Sequence, residues 1–366
     1  MRNKVAESLA NAQTGDAASY VGSAYTLIGL LAIVLWIVFT VGSSFISWQI
    51  VFNTTTIPEP TLRDTVHIVV SFILFNFVIT LINTLLGAVQ RTSLVALGQL
   101  ISNVLVLVLV FLLSKTTEAS INSLALVYGI STVVSNLFLS IWFYGNRPEL
   151  RPRFNLDKNH VRPLLAVGFQ FFIIQVAVLV IFTTDKILIT HIFGPEYVTQ
   201  YEVVFKLFSV ITFAHGLISA PLWSAYTEAY HKEDFKWIRR MLRTQLIIFF
   251  GIVVAIFLLT AMAESIIEVW IGKGFEITSE LLVATGLFVT ISTWNNIFAM
   301  FVNGIGKIKI QLYTALIAMC ANIPISIFLA KNTDLGTSAI IIGTTCSLLL
   351  AAVVLPIQVH HLIRRS

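Results

Sequence analysis

Ten stretches of the chain reach twenty residues or more without a single Lys, Arg, Asp or Glu: 17–58, 65–90, 92–114, 119–146, 163–184, 207–227, 244–263, 281–306, 310–330 and 335–363. About twenty apolar residues cross the hydrocarbon core of a bilayer as a helix. Only helices and closed barrels satisfy their backbone polar groups inside lipid. The ten-residue alternating segments of a barrel are absent, so the pattern predicts ten membrane-spanning helices joined by short polar connections. The first run is not a signal peptide. Its apolar part, from Val21 to Ile46, exceeds the 7–15 residues of an h-region, and a polar-to-mixed segment precedes it.

Composition sharpens this into a class. Hydrophobic residues make up 57% of the 366 residues and charged residues 11%, with a mean hydropathy of +0.88. A soluble domain carries roughly a quarter charged residues, so the chain belongs in a membrane. Cys320 and Cys346 fall in different apolar spans and are expected as small core residues.

Charge supplies the orientation. Basic residues fall at 1–16, 90–92, 147–162, 228–243, 307–309 and 364–365, whereas 59–64, 115–118, 185–206, 264–280 and 331–334 are neutral or acidic. The alternation holds at every step, and the positive-inside rule then places both termini in the cytoplasm. The formal net charge of +5 is thus a topological signal and implies no nucleic-acid partner.

One basic stretch, PLWSAYTEAYHKEDFKWIRRMLRTQL at 221–246, also has helical apolar spacing through Trp223, Tyr226, Tyr230, Phe235, Ile238, Met241 and Leu242. A single amphipathic helix is expected there. It would lie in the cytoplasmic interface with its apolar residues packed, and Lys232, Lys236 and Arg240 would face water and headgroups. Trp223, Tyr226, Glu228, Arg239 and Arg240 are the candidate residues of this elbow. Two readings stand: an orientation signal with a packed corner, or a contact for the headgroup of a lipid-borne substrate.

The start of the chain, MRNKVAESLANAQTGDAASYVGSAYTL, reads as a weaker copy of the same segment. Glu7 matches Glu228, Trp48 matches Trp270, Gly87 matches Gly304 and Asn103 matches Asn322, at offsets of 221, 222, 217 and 219. The agreement sets span on span and basic turn on basic turn. It implies two related halves with a parallel repeat: residues 1–145 as an N-terminal lobe of four spans, 146–162 as a basic linker and 163–366 as a C-terminal lobe of six. Two spans precede the elbow in the second half only, so the expected full form has twelve spans and the present chain is expected to lack the first two.

Several segments resemble a known family: PLWSAYTEAYHKEDFKWIRRMLR, TTDKILI at 183–189, WIGKGF at 270–275 and RNKVAESLANAQTGDAASYVGSAY at the start. They are similar to polysaccharide-unit transporters, the O-antigen-type flippases of the multidrug/oligosaccharidyl-lipid/polysaccharide exporter superfamily. The resemblance implies an all-α polytopic membrane protein of two lobes around a central cavity. It also implies transport of an undecaprenyl-diphosphate-linked oligosaccharide across a bacterial inner membrane. Membrane lipids, a coupling ion (Na+ or H+) and glycan polymerase or chain-length proteins would be its partners, with no cofactor and no metal.

Such a headgroup is anionic, and charges inside spans cost about 2.5–3.5 kcal/mol each on insertion scales. The in-span charges are therefore the candidate cavity residues: Asp185, Lys186, Glu202 and Lys206, at similar depth on either side of the Gly194–Pro195 turn. Lys186 and Lys206 would contact an anion, with Asp185 and Glu202 tuning them or binding the coupling ion. The alternative is a neutral structural knot with a Glu202–Lys206 pair and an Asp185 pair. Asn76 and Asn83 share a helix face with Thr80 and are candidates either for sugar binding or for hydrogen bonding between helices.

An enzyme is not expected. The connections are short, no nucleophile–base or metal-ligand cluster occurs, and GIGK at 304–307 is too short for a phosphate loop. The competing functions are a drug/cation antiporter of the same superfamily and, further off, an integral-membrane glycan polymerase, for which a large outer loop would be expected.

Overall fold

The computed structural model describes residues 1–52, 56–116, 120–153, 158–194, 196–272 and 274–364. The middle of the expected linker (154–157), Pro195 of the expected turn, Lys273 of WIGKGF and Arg365 lie outside the described residues. No strand occurs among those described. The helices are α1 (Arg2–Ala10), α2 (Thr14–Ser43), α3 (Trp48–Val51), α4 (Glu59–Ile79), α5 (Leu81–Ala88), α6 (Thr92–Thr116) and α7 (Ile121–Asn146). They continue with α8 (Lys158–Ile192), α9 (Glu196–Ser219), α10 (Leu222–His231), α11 (Phe235–Ile271), α12 (Ser279–Ile305), α13 (Lys309–Asn332) and α14 (Ser338–Arg364).

Ten helical stretches are long and apolar enough to span a membrane. Several outrun the charge-free windows of the sequence. The run that stops at Thr184 continues as α8 through Asp185 and Lys186 to Ile192, because a helix tolerates a charge that it can bury or pair. Large apolar side chains such as Phe257, Ile141 and Phe213 are exposed, as lipid-facing residues are. Cys320 and Cys346 are free and lie on exposed faces rather than in a core.

The chain forms two compact units, Met1–Leu165 and Ala166–Ser366. In the first, α4 and α6 pack on α7, α2 packs on α4, and α1 packs on α2 and α5. In the second, α12 and α13 pack on α14, α11 packs on α12, and α10 packs on α12 and α11. The stretch expected as a linker starts inside the first unit: Leu150 is fully buried in its core. Gly22 of α2 lies so close to the carbonyl of Arg153 that any side chain there would collide with backbone. Residues 158–162 form the first turns of α8.

Two pairs of turns, one member of each in each unit, share a backbone pattern. Between α1 and α2, N–H groups of Asn11, Ala12 and Gln13 donate to the carbonyls of Glu7, Leu9 and Ser8 at 3.1, 3.1 and 2.8 Å. Between α10 and α11, Lys232, Glu233 and Asp234 donate to Glu228, Tyr230 and Ala229 at 3.0, 3.2 and 2.9 Å. Ala12 and Glu233 sit at the same step with φ of 58° and 56°, the left-handed conformation that closes a helix end. After α5 and α12 a second pair of matched turns follows, with Gln90 at φ 60° and Gly306 at φ 71°. There Arg91 donates to Leu86 at 2.8 Å and Lys307 to Val302 at 3.1 Å.

The single amphipathic helix expected over 223–246 is therefore two helices. His231–Asp234 carries no apolar residue to keep packing going, and the Asp234 side chain accepts the Trp237 N–H at 3.0 Å as an N-cap. The stripe through Lys232, Lys236 and Arg240 is broken at this turn.

Candidate functional site

Asp185 is the chemically unusual residue of the second unit. It sits in the C-terminal part of α8, a helix of membrane-spanning length and hydropathy, and is only 1% exposed. Its carboxylate accepts from the Thr344 hydroxyl of α14 at 2.8 and 3.0 Å and from the Tyr201 hydroxyl of α9 at 3.3 Å. Behind Thr344, Asn322 of α13 donates its amide to the Thr344 oxygen at 2.7 Å. Thr184 closes the chain by donating to the Asn322 side-chain oxygen at 3.3 Å. Four helices thus converge on one carboxylate through neutral hydroxyls and an amide. No ion pair to Asp185 occurs among the described residues.

The local sequence explains the convergence. Gly343 precedes Thr344, and a Cβ at that position would lie 2.6 Å from the Cα of Ser326. Absence of a side chain lets α14 close on α13, where Ser326 is fully buried and donates to the Ile340 carbonyl at 3.2 Å. Around the network stands an aromatic wall. Tyr201 stacks on Phe205 at 5.9 Å, and Phe182 meets Phe288 edge-on at 5.7 Å. Apolar packing of this kind keeps water off a polar cluster and strengthens its internal electrostatics.

The four in-span charges do not act as one group. Successive residues on a helix point about 100° apart, so Asp185 turns inward while Lys186 faces out and forms an ion pair with Glu202 across the α8–α9 hairpin. The expected Glu202–Lys206 pair is replaced by this one. Lys206 is exposed. In the first unit, Asn83 donates to Asn136 of α7 at 3.1 Å and Asn136 donates to Thr80 at 3.3 Å. The helix breaks at Thr80, which leaves Asn76 on α4 and Asn83 on α5. Asn76 is half-buried, and among the described residues its side-chain oxygen has no hydrogen-bond partner.

The elbow residues divide in the same manner. Tyr226 is fully buried and meets Phe301 and Trp237 edge-on at 5.3 and 5.8 Å. Trp223 stacks on Phe171 at 5.4 Å. Glu228 pairs with Lys232 at 2.6 Å, and Arg239 and Arg240 are exposed.

Two features escaped the sequence reading. One is the set of partners of Asp185, since Thr344 and Tyr201 look like ordinary residues of apolar spans. In the sequence Asn322 stands out only through its match to Asn103. The other is a cavity of about 680 Å³ lined by Glu264, Glu268 and Glu276 with Tyr197 and Gln200.

The sequence profile described as "Polysaccharide biosynthesis protein" matches residues 5–226, and the profile MatE matches residues 171–328. A Salmonella typhimurium protein assigned to O-antigen transport is 25% identical over 195 residues, 52% of this chain and 44% of that protein. A Yersinia pseudotuberculosis protein assigned to O-antigen export is 26% identical over 181 residues, 48% of this chain and 40% of that one. The chain thus spans less than half the length of the curated relatives it matches.

Among solved structures, MATE in the bent conformation superposes with a TM-score of 0.83 at 15% identity, over 100% of this chain and 83% of that one. A multidrug/oligosaccharidyl-lipid/polysaccharide superfamily transporter from Pyrococcus furiosus gives 0.80 at 15% identity, over 99% and 82%. At such identities the likeness establishes the fold. This chain is a multi-pass membrane protein with the transporter fold of that superfamily, and it belongs to the polysaccharide biosynthesis protein family.

Proposed function

We propose that this protein moves a lipid-linked oligosaccharide diphosphate from the cytoplasmic to the outer leaflet of a bacterial inner membrane by alternating access, with both termini cytoplasmic. Exchange of a proton or a monovalent cation at Asp185 drives it. The single observation carrying the coupling role is a carboxyl group 1% exposed within a span and held, among the described residues, by neutral donors. An ionised carboxylate in that setting is costly unless a cation joins it, and a protonated one gives up its charge. Either event changes the charge of a junction of four helices, and biasing such a junction is how an ion shifts a transporter between states.

Support for the cargo comes from the polysaccharide profile and the O-antigen relatives. Lys186 and Lys206 serve as contacts for the anionic headgroup. Lys186 does so by exchanging Glu202 for the diphosphate, and Lys206 is exposed and ready to pair. Asn76, with a side-chain oxygen free to accept, and Asn83 offer amides to sugar hydroxyls.

A drug/cation antiporter is the second reading, favoured by the MatE match and the MATE folds. A reconstituted assay separates the two. The full chain in liposomes should move a headgroup-labelled polyprenyl-diphosphate oligosaccharide between leaflets and leave ethidium unmoved. Ethidium transport without lipid movement would replace this proposal with the antiporter.

A further inference from the structure

At the end of the second unit where α11 begins and α14 finishes, a cavity of about 420 Å³ opens between these helices and α12. Its polar rim is basic: Arg239 and Arg243 from α11, His360 and Arg364 from α14. Each pair is spaced i, i+4, so each helix presents its two groups one turn apart on one face. Within this rim the lining is apolar, with Leu246 of α11 and Phe298 of α12 among its residues. Among the described residues no carboxylate pairs with Arg239, Arg243 or Arg364. Further along the same helices the surface stays apolar and exposed, with Phe250 at 67% and Val353 at 60%.

Arginines at a cytoplasmic helix end serve orientation wherever they point. These differ in converging on one cavity that also offers apolar lining. A soluble anion would leave that lining unused, and a neutral lipid would leave three guanidinium groups unmatched. We infer that this cavity is a binding site for an anionic membrane phospholipid of the cytoplasmic leaflet, with its phosphate between the α11 and α14 arginines and its acyl chain running along the exposed apolar surface. Guanidinium forks match phosphate oxygens geometrically as well as by charge. The site is distinct from the Asp185 network and does not depend on the cargo proposed above.

The test is native mass spectrometry of the full chain titrated with phosphatidylglycerol, phosphatidylcholine, water-soluble glycerophosphate or undecaprenyl diphosphate. Phosphatidylglycerol should be retained and should raise the melting temperature, while phosphatidylcholine and glycerophosphate are not retained. Arg239→Gln and Arg243→Gln should each weaken phosphatidylglycerol retention about fivefold. The Arg147→Gln/Lys331→Gln protein, with two exposed charges removed outside the cavity, should bind as the parent does. The single variants keep the question answerable should the Arg239→Gln/Arg243→Gln double variant fail to fold. Unchanged binding in both single variants, or equal retention of phosphatidylcholine, would overturn the site. Glycerophosphate binding as tightly as the lipid would make it a phosphate site without lipid, and displacement by equimolar undecaprenyl diphosphate would make it a cargo site. Either result contradicts the inference.

Discussion

At residues 11–13 and again at 232–234 the chain makes the same turn with the same hydrogen bonds, yet different side chains meet beside it. In the first unit a Cβ on Gly87 would come 3.1 Å from the Arg2 guanidinium, the far end of a flexible side chain. In the second, a Cβ on Gly304 would come 2.6 Å from the Trp223 carbonyl and 3.1 Å from Tyr226 Cβ. Thr227 clamps that approach by donating to the Gly304 carbonyl at 2.7 Å. One corner holds a half-buried cation, whose burial lowers the Arg2 guanidinium to about 10 while leaving it charged at neutral pH. The other is locked by backbone and aromatic rings. The two corners share a chain path and differ in rigidity.

The largest stability effect should expose that difference. Gly304→Ala forces two backbones apart and should cost about 1–3 kcal/mol, read as a drop in unfolding midpoint of the full chain in detergent. Gly87→Ala asks only the Arg2 side chain to move and should stay within about 0.5 kcal/mol. Equal losses would show that the two corners are equally tight.

A smaller contrast lies at the other matched pair. Asn322 is fully buried and bonded to Thr344 and Thr184. Asn103, matched to it in the sequence, is exposed and among the described residues accepts only from Gln99 on its own helix, at 3.1 Å. Asn322→Leu should cost about 0.6–1.7 kcal/mol, the range of hydrogen bonds between membrane helices, and Asn103→Leu close to nothing. Comparable costs at both would mean that the buried network contributes no more than an exposed contact. Smallest of all is the Lys186–Glu202 pair, half-exposed on the lysine side. A double-mutant cycle with Lys186→Gln and Glu202→Gln should return under about 1 kcal/mol of coupling in stability.

The spans were legible because apolar length is a one-dimensional property. Helix ends were less so. A charge-free window stops at Asp185, whereas the helix stops only at Ile192, where the chain must turn. The break at Glu233 was signalled by four successive polar residues and by Asp234 as an N-cap, signals that the helical spacing on either side obscured. The site was half legible. Rarity of charge within spans marked Asp185, but Thr344 stands 159 residues further along the chain, and a threonine in an apolar span carries no mark of its contacts. Asn322 matches Asn103 in the sequence, but that match says nothing of the buried contacts it makes.

The proposed coupling turns on Asp185. The most direct measurement imposes a proton or a sodium gradient on liposomes holding the full chain and follows leaflet-to-leaflet movement of a labelled polyprenyl-diphosphate oligosaccharide, for the parent and for Asp185→Asn. The parent should accelerate at least about tenfold under one of the two gradients, a change of 1.4 kcal/mol in the barrier. Asp185→Asn, which keeps the shape and the Thr344 contact, should fold and be indifferent to both. A gradient response in Asp185→Asn as large as the parent's would contradict the coupling role and with it the proposed mechanism.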